Sequence, residues 1–241
     1  MASRMQIHPL TAYRAMRALR EDPDDTVSAI RVIAALSGPS TRRAFERFRA
    51  SPRGARILRE KQDLYDLLTD HDRLKAMPPG SLGRTLVEWF EAEDISTAGL
   101  ARASEAARDA DSQATLEGDE EIYRSRLRNL HDVFHVLTGY DRDLRGEAAV
   151  LAFTIAQDAN LGIAYLVWNA LREQGWSSPG GILIRQGYRR GRLAEHLVLQ
   201  DWETLFEQPI EQVRRQLGIG VPPIYEQVRS ARAPGAPAIS A

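Results

Sequence analysis

The chain has 241 residues, a formal net charge of −1 at pH 7, 43% hydrophobic residues and no cysteine. This length allows one large or two small domains with a proper core, and the near-neutral charge gives no global indication of nucleic-acid binding. The absence of cysteine excludes disulfides, thiolate metal ligands and a cysteine nucleophile.

Helical spacing of apolar residues dominates the N-terminal half and predicts an all-α fold. Helices are predicted over residues 11–20, 26–36, 41–49 and 52–68, and a turn at 77–83 opens another helix to about residue 91. We expect residues 1–10 to form a flexible N-terminus. The polar, alanine-rich stretch 92–118 is interpreted as a mobile linker with some helix.

In the C-terminal half, helices are predicted over residues 120–137, 147–173, 182–199 and 202–217. Segment 147–173 is apolar on nearly all sides, so we expect it to be a long buried helix at the centre of a single domain, residues 11–225. Residues 226–241, rich in alanine and proline, are expected to be a disordered tail. The sequence has neither a membrane-spanning apolar stretch nor a secretory apolar core at its N-terminus.

The motif that indicates chemistry is HDVFH at residues 131–135, with eleven residues between His135 and Glu147. Histidines four residues apart lie one turn apart on the same face of a helix, so their imidazoles can converge on one metal ion. A helix stop is predicted at 138–143, and Glu147 would then lie in the first turn of the next helix, facing back toward the histidines. The pattern predicts a metal site between two helices, suited to Zn²⁺ or another divalent cation.

Asp132 stands beside the ligand His131, and three roles remain open for it: metal ligand, orienting partner of an imidazole, or proton carrier. The alternative interpretation of the motif is an amphipathic helix that carries two surface histidines. His71-Asp72 repeats the His-Asp doublet and gives a rival hypothesis, a metal-dependent phosphohydrolase on a helical bundle. That hypothesis does not account for Glu147.

Four further features have two interpretations each. The basic cluster between Arg42 and Lys61 and the arginine cluster at 185–192 could each hold anionic headgroups or phosphate. For both clusters the preferred interpretation is a solvated helix face. Asp158 is interpreted as a satisfied buried carboxylate in preference to a site residue. Apolar residues that could line a groove for a lipid tail, although such spacing more often indicates core, are Phe153, Ile163, Tyr165, Leu166 and Trp168.

Residues 11–225 resemble the coenzyme Q (ubiquinone) biosynthesis protein four family in its bacterial type. The motif that carries the resemblance is specific: HDxxH at 131–135, then eleven residues, then Glu147, with Gly146 directly before it. Flanking segments occur in the family's order: Ser-Pro-Arg-Gly at 51–54, the turn at 77–83, Gly191-Arg192, Trp202-Glu203, and Leu-Gly-Ile at 217–219 followed by Pro222-Pro223. The linker at 92–118 and the alanine/proline tail have no counterpart in the family pattern.

The resemblance implies metal ligands at His131, Asp132, His135 and Glu147, with Asp132 and Glu147 also catalytic. It implies a polyprenylated 4-hydroxybenzoate-derived ring as substrate, which loses its carboxylate at carbon one with hydroxylation there. The chain would then be a metal-dependent decarboxylase, a lyase. The cofactor would be one divalent ion, zinc or iron, with manganese and magnesium also open, and zinc has no accessible redox change for oxygen chemistry.

The same resemblance implies other ubiquinone-biosynthesis proteins as partners and a peripheral position on the cytoplasmic side of a bacterial inner membrane. A homodimer is left open, and no nucleic-acid partner is expected. The alternative function is a non-catalytic polyprenyl-lipid-binding scaffold of the biosynthetic complex, in which the metal is structural.

Overall fold

The computed structural model describes residues 7–62, 64–96 and 118–229. In these ranges the chain forms a single all-α domain, as predicted, and its one β feature is an isolated bridge between Ser81 and Pro209. The expected linker at 92–118 falls mostly outside the described residues.

The N-terminal half is helical as predicted, with several helix boundaries that differ from the predicted ones. Their bounds are α1 Pro9–Glu21, α2 Thr26–Ala50, α3 Pro52–Glu60, α4 Tyr65–Thr69, α5 His71–Ala76 and α6 Leu82–Ala92. The two helices predicted over 26–36 and 41–49 are one helix, α2, which is kinked at Gly38, whose φ of 23° and ψ of −112° are non-helical, directly before Pro39. The helix predicted over 52–68 is wrong as one element, because Lys61 adopts a left-handed conformation that ends α3.

The C-terminal half contains α7 Asp119–Thr138, α8 Leu144–Asp158, α9 Leu161–Gln174, α10 Pro179–Leu193, α11 Trp202–Leu205 and α12 Ile210–Gln216, with a 3₁₀ turn at Leu197–Leu199. Two predicted helices are therefore shorter than expected. The one predicted over 182–199 ends at Leu193, and the one predicted over 202–217 is divided at residues 206–209.

The long buried helix predicted over 147–173 is two helices, α8 and α9. Ala159 has a φ of 53°, and the side chain of Asn160 caps α9 by accepting from the backbone N–H of Ile163 at 3.1 Å. Helix α8 is the central one, whereas α9 is only partly buried and exposes 55% of Trp168. The sequence suggested one helix because α8 and α9 each bury an apolar face, so the apolar residues continue across the break between them.

Glycines let α10 lie directly against α8. A Cβ atom on Gly187 would stand 2.3 Å from the carbonyl oxygen of Ala149, and one on Gly191 would stand 2.4 Å from that of Phe153. Such contacts are possible only where a side chain is absent. The main core is completed around α8 by α6, α7 and the C-terminal helices, including the fully buried Trp202.

The two ends of the described chain are held more firmly than expected. His8 N–H donates to the carbonyl oxygen of Ala35 at 2.8 Å, and Pro9 already begins α1. Residues 226–228, placed by the sequence in a disordered tail, are hydrogen-bonded to residues 141–145, and Arg229 is bonded to Glu93 at the end of α6. Among the described helices, none has the length and apolar character that crossing a membrane requires.

Candidate metal centre

Helix α7 presents the two histidines at the boundary of the core. Its apolar residues Leu130, Val133, Phe134 and Leu137 are buried in the main core and fix the rotation of the helix. His131 and His135 consequently face the same neighbour, with ring centroids 4.8 Å apart and ring planes at 88°. The predicted pairing of these histidines on one face is observed.

Helix α8 presents Glu147 to them. It begins after the N-cap Asp143, whose carboxylate accepts from the N–H of Arg145 at 3.1 Å. Glu147 lies in the first turn, where the positive end of the helix dipole favours a carboxylate. The predicted helix stop at 138–143 is also observed, because Gly139 ends α7 in a left-handed conformation.

The three donor atoms converge. The Nε2 atoms of His131 and His135 are 3.2 Å apart, and each is 3.4 Å from Oε2 of Glu147. Ligand atoms bound about 2.0 Å from a tetrahedral Zn²⁺ are separated by about 3.3 Å. The donor spacing and the nitrogen/oxygen chemistry of this trio therefore fit a divalent metal ion.

His135 is oriented for this role by its surroundings. Its Nδ1 donates to the carbonyl oxygen of Tyr140 at 2.7 Å, which leaves the Nε2 lone pair of the neutral imidazole toward Glu147. The indole of Trp89, from α6, stacks on the imidazole at 5.5 Å and 19°. His135 is completely buried, whereas the side chains of His131 and Glu147 are 37% and 36% exposed, so the site opens on their side.

In the metal-free chain, the pKa values of Glu147 and His135 favour a carboxylate beside a protonated imidazole, at the place where a metal would bind. Burial disfavours the charged form of both groups, but the opposite charges outweigh it. The pKa of Glu147 lies well below its ordinary value because of His135 and His131, and the pKa of His135 is raised by Glu147 and Asp132. A metal ion would displace this proton on binding.

Asp132 is not brought into the trio. The donor atoms that lie within 4.8 Å of one another come from His131, His135 and Glu147. Asp132 instead lines a cavity of about 1490 Å³, onto which His131 and Glu147 also open. It is near enough to His135 to raise the pKa of that imidazole. Its predicted roles as a ligand and in catalysis therefore stay predictions.

The rival doublet, His71-Asp72, begins the short helix α5. His71 stacks on Phe90 with ring centroids 5.4 Å apart, and in the described part of the chain neither residue is among the gathered donor atoms. The doublet thus gives the phosphohydrolase hypothesis no geometric support here.

The basic clusters have ordinary structural partners for some of their members. Arg42 and Arg49 pair with Glu46 on the exposed face of α2. Arg190 donates to the carbonyl oxygens of Thr138 and Ile219, at the end of α7 and in the C-terminal segment. The ion pairs on α2 fit the preferred interpretation, a solvated helix face. Arg190 departs from it, because its guanidinium is partly buried and bonded to backbone carbonyl oxygens.

Asp158 lies at the C-terminal end of α8 and is buried. It accepts from the hydroxyl of Tyr123 at 3.3 Å, and burial raises its pKa. This matches the preferred interpretation as a partnered buried carboxylate.

The five lipid-groove candidates are separated by the fold. Ile163 and Leu166 line the cavity. Phe153 is fully buried in the core, and Tyr165 stacks on the half-exposed Trp168 at 6.3 Å.

Sequence reasoning did not find the groups that support the trio. Trp89 lies on a different helix, α6. The group that Tyr140 supplies is its backbone carbonyl, which no residue type reveals. Tyr225 bonds to Asp143, the N-cap of α8, which is 82 residues earlier in the chain. A local pattern signals none of these contacts, because each joins segments that are distant in sequence or uses backbone atoms.

Comparison with known proteins gives a consistent family. The model of the family described as coenzyme Q (ubiquinone) biosynthesis protein Coq4 matches residues 2–223. A mitochondrial ubiquinone biosynthesis protein COQ4 from Phaeosphaeria nodorum is 30% identical over 192 residues, 77% of this chain and 62% of that protein. Its namesake from Yarrowia lipolytica is 29% identical over 190 residues, 76% of this chain and 68% of the relative.

The chain spans about three fifths of the length of the curated relatives that it matches. A crystal structure from Nostoc punctiforme, provisionally described as a ubiquinone biosynthesis protein, superposes with a TM-score of 0.66 at 19% identity, covering 90% of this chain and all of that one. At that identity the likeness shows a shared fold.

Proposed function

This chain belongs to the Coq4 family of coenzyme Q (ubiquinone) biosynthesis proteins, and from that premise we propose that it is a metal-dependent decarboxylase of a polyprenylated 4-hydroxybenzoate-derived ring. The ring carboxylate at carbon one would leave as CO₂, and a hydroxyl group would take its place. That replacement is a two-electron oxidation of the ring, for which molecular oxygen would be the oxidant, so it would need a redox-active ion. The observation that carries the proposal is the convergence of His131, His135 and Glu147 at the wall of a large cavity.

We assign the chain's residues distinct tasks in this reaction. His131, His135 and Glu147 would hold one divalent ion, zinc or iron, with manganese and magnesium as further candidates. When bound, the ion would polarise the ring carboxylate and stabilise the negative charge that develops as CO₂ leaves. Trp89 stacks on one face of His135, and His131 and Glu147 line the cavity, so we expect substrate to approach the trio from the cavity.

Asp132 is our candidate for proton transfer at the ring. It is adjacent to a proposed ligand, it lines the cavity, and its carboxylate is free of the trio. A carboxylate at this position can take the proton of a phenolic hydroxyl group on the ring. A fourth-ligand role for Asp132, implied by the family resemblance, is the competing assignment.

The cavity supports a polyprenylated substrate. Its volume of about 1490 Å³ exceeds the roughly 300–1,000 Å³ of ordinary small-molecule sites. Apolar side chains from α1, α2 and α9 line it away from the trio, among them Met16, Ile33 and Leu166. An isoprenoid tail could lie along these residues while the ring faces His131 and Glu147.

The same cavity favours a second candidate function. A protein that binds a polyprenyl lipid without transforming it would need the apolar walls and could use the metal only to fix α7 against α8. In this alternative the chain is a scaffold of the ubiquinone biosynthetic complex. In both cases we propose other ubiquinone-biosynthesis proteins as partners and a peripheral position at the cytoplasmic face of a bacterial inner membrane.

The decisive experiment compares the wild-type chain, purified without a histidine tag, with Glu147→Gln. Bound metals are measured by mass spectrometry, and CO₂ release is measured in air from a short-tailed 4-hydroxybenzoate-type substrate. Iron or manganese at one per chain, with CO₂ release lost in Glu147→Gln but kept in the exposed control Glu207→Gln, supports the decarboxylase. Zinc at one per chain with no turnover supports the scaffold, and no metal in the wild type contradicts both.

A further inference from the structure

The last five described residues, 225–229, form what we call the C-terminal strap, which crosses the start of α8. The strap lies just beyond residue 223, where the match to the family model ends. Each of its residues forms a hydrogen bond to the segment 141–145 or to the end of α6. Such dense anchoring indicates that the strap has a structural task at this site.

The strongest contact joins Tyr225 to the N-cap of α8. The Tyr225 hydroxyl donates to Oδ2 of Asp143 at 2.6 Å and accepts from the backbone N–H of Asp141 at 2.8 Å. Asp143 is only 1% exposed, so this hydrogen bond to a carboxylate is shielded from water and strong. The same hydroxyl stands 2.6 Å from where a Cβ atom on Gly146 would be, one residue before Glu147.

Backbone atoms extend this contact. Val228 N–H donates to Oδ1 of Asp143 at 2.9 Å, and the carbonyl oxygen of Val228 accepts from Leu144 N–H at 2.9 Å. Arg145 donates to the carbonyl oxygen of Glu226 at 2.9 Å. The first turn of α8, which carries Glu147, is therefore fixed by the strap from outside the helix.

The far end of the strap reaches the other side of the site. Arg229 donates to both carboxylate oxygens of Glu93, at 2.7 and 3.3 Å, and Glu93 is the C-cap of α6. Helix α6 also carries Trp89, which stacks on His135. The strap thus links the helix that supplies Glu147 to the helix that covers His135.

We propose that the C-terminal strap positions the metal ligands, and that Tyr225 is the positioning residue for Glu147. This inference rests on the proposed function, since it assumes that the trio binds a metal. Tyr225 touches no ligand and acts through Asp143 and Gly146. Loss of its hydroxyl frees the first turn of α8 and allows Glu147 to leave its place 3.4 Å from both imidazoles.

The test measures Co²⁺ binding to the full chain by visible absorption, together with the urea midpoint of the metal-free protein. Tyr225→Phe is expected to weaken Co²⁺ binding by about tenfold, as loss of an outer hydrogen-bond partner does at metal sites, and to change the absorption spectrum. Arg229→Gln, which leaves the Tyr225–Asp143 bond in place, is expected to weaken binding in the same direction. The matched control is Tyr123→Phe, which removes a hydroxyl bonded to Asp158 at the opposite end of α8.

Outcomes separate this inference from the proposed function. Weaker Co²⁺ binding in both strap variants, with Tyr123→Phe unchanged, supports the positioning role. Wild-type affinity and spectrum in both strap variants would overturn it while leaving the metal site intact. An equal loss in Tyr123→Phe would also overturn it, because the effect would then reflect the general stability of α8. No Co²⁺ binding by the wild type would remove the proposed function and this inference together.

Discussion

The Nδ1 atom of His135 donates a 2.7 Å hydrogen bond to the carbonyl oxygen of Tyr140, five residues further along the chain. Tyr140 is itself fully buried, and its hydroxyl donates to Gln186 at 3.2 Å, so the carbonyl has a fixed position. The bond selects the imidazole tautomer that offers Nε2 as an acceptor. One end of the metal trio is consequently set before any ion arrives.

Metal affinity should depend on pH in a defined direction. In the metal-free chain Glu147 and Asp132 raise the pKa of His135 above its ordinary value of 6.5, while Glu147 itself stays ionised because its pKa is lowered. A metal must displace the imidazole proton, so affinity is highest above the raised pKa and falls as the pH decreases through it. We expect a fall approaching about tenfold per pH unit.

The measurement is a Zn²⁺ competition titration in steps from about pH 8 to about pH 6. Constant affinity over that interval would mean that His135 carries no proton in the metal-free site. An affinity that increased on acidification would contradict the proposed ligand set altogether.

Asp132→Asn separates the two roles proposed for this residue. If Asp132 transfers a proton, the variant should keep one metal per chain and lose turnover by at least about 100-fold. Metal content by mass spectrometry and CO₂ release are measured on the same sample. Loss of the metal would identify Asp132 as a ligand instead. Asp72→Asn, the same change in the other His-Asp doublet, should leave both quantities unchanged.

Gly146→Ala should destabilise the chain and displace Glu147. A Cβ atom there would stand 2.0 Å from the carbonyl oxygen of Asp141 and 2.6 Å from the Tyr225 hydroxyl, so the turn before α8 must move. We expect a loss of about 1–3 kcal/mol in the free energy of unfolding, measured by urea titration, and weaker metal binding. Gly80→Ala meets no atom within 4 Å and strains only a positive φ, so it should cost stability without changing metal affinity.

Asn160→Ala should loosen the junction between α8 and α9. The Asn160 amide oxygen accepts from Ile163 N–H at 3.1 Å and from the Ser37 hydroxyl at 3.0 Å, and its nitrogen donates to Thr41 at 3.3 Å. Loss of the cap and of these bonds should reduce the free energy of unfolding by about 1–3 kcal/mol. Asn160→Asp keeps the accepting oxygen and should lose less. Equal losses in the two variants would show that the bond to Thr41 dominates.

The sequence was sufficient for the all-α fold and for the spacing of His131, His135 and Glu147. Helical periodicity fixes the relation of the two histidines, and the stop at Gly139 with the cap before α8 places Glu147 beside them. These are local rules, so no knowledge of distant contacts is required.

The break between α8 and α9 could not be predicted in the same way. The left-handed residue there is Ala159, where glycine would have been the usual signal. The break is held by Asn160 through Ser37 and Thr41, more than 100 residues earlier in the chain. Asp132 lies on the cavity wall beside the trio, and the ligand role that the resemblance implies for it stays a prediction.

The kink of α2 at Gly38 has a consequence for cooperativity. The half of α2 before the kink packs with α1 and α9 in a small cluster around Val32 and Leu166, whereas the half after it belongs to the main core through Phe45 and Phe48. We therefore expect the two halves of α2 to belong to different cooperative units with separate free energies of local unfolding. Slow amide exchange should extend through α7, α8 and the second half of α2, and the first half should exchange faster. In that case local unfolding of α1, which lines part of the cavity wall, would leave the metal ligands in place.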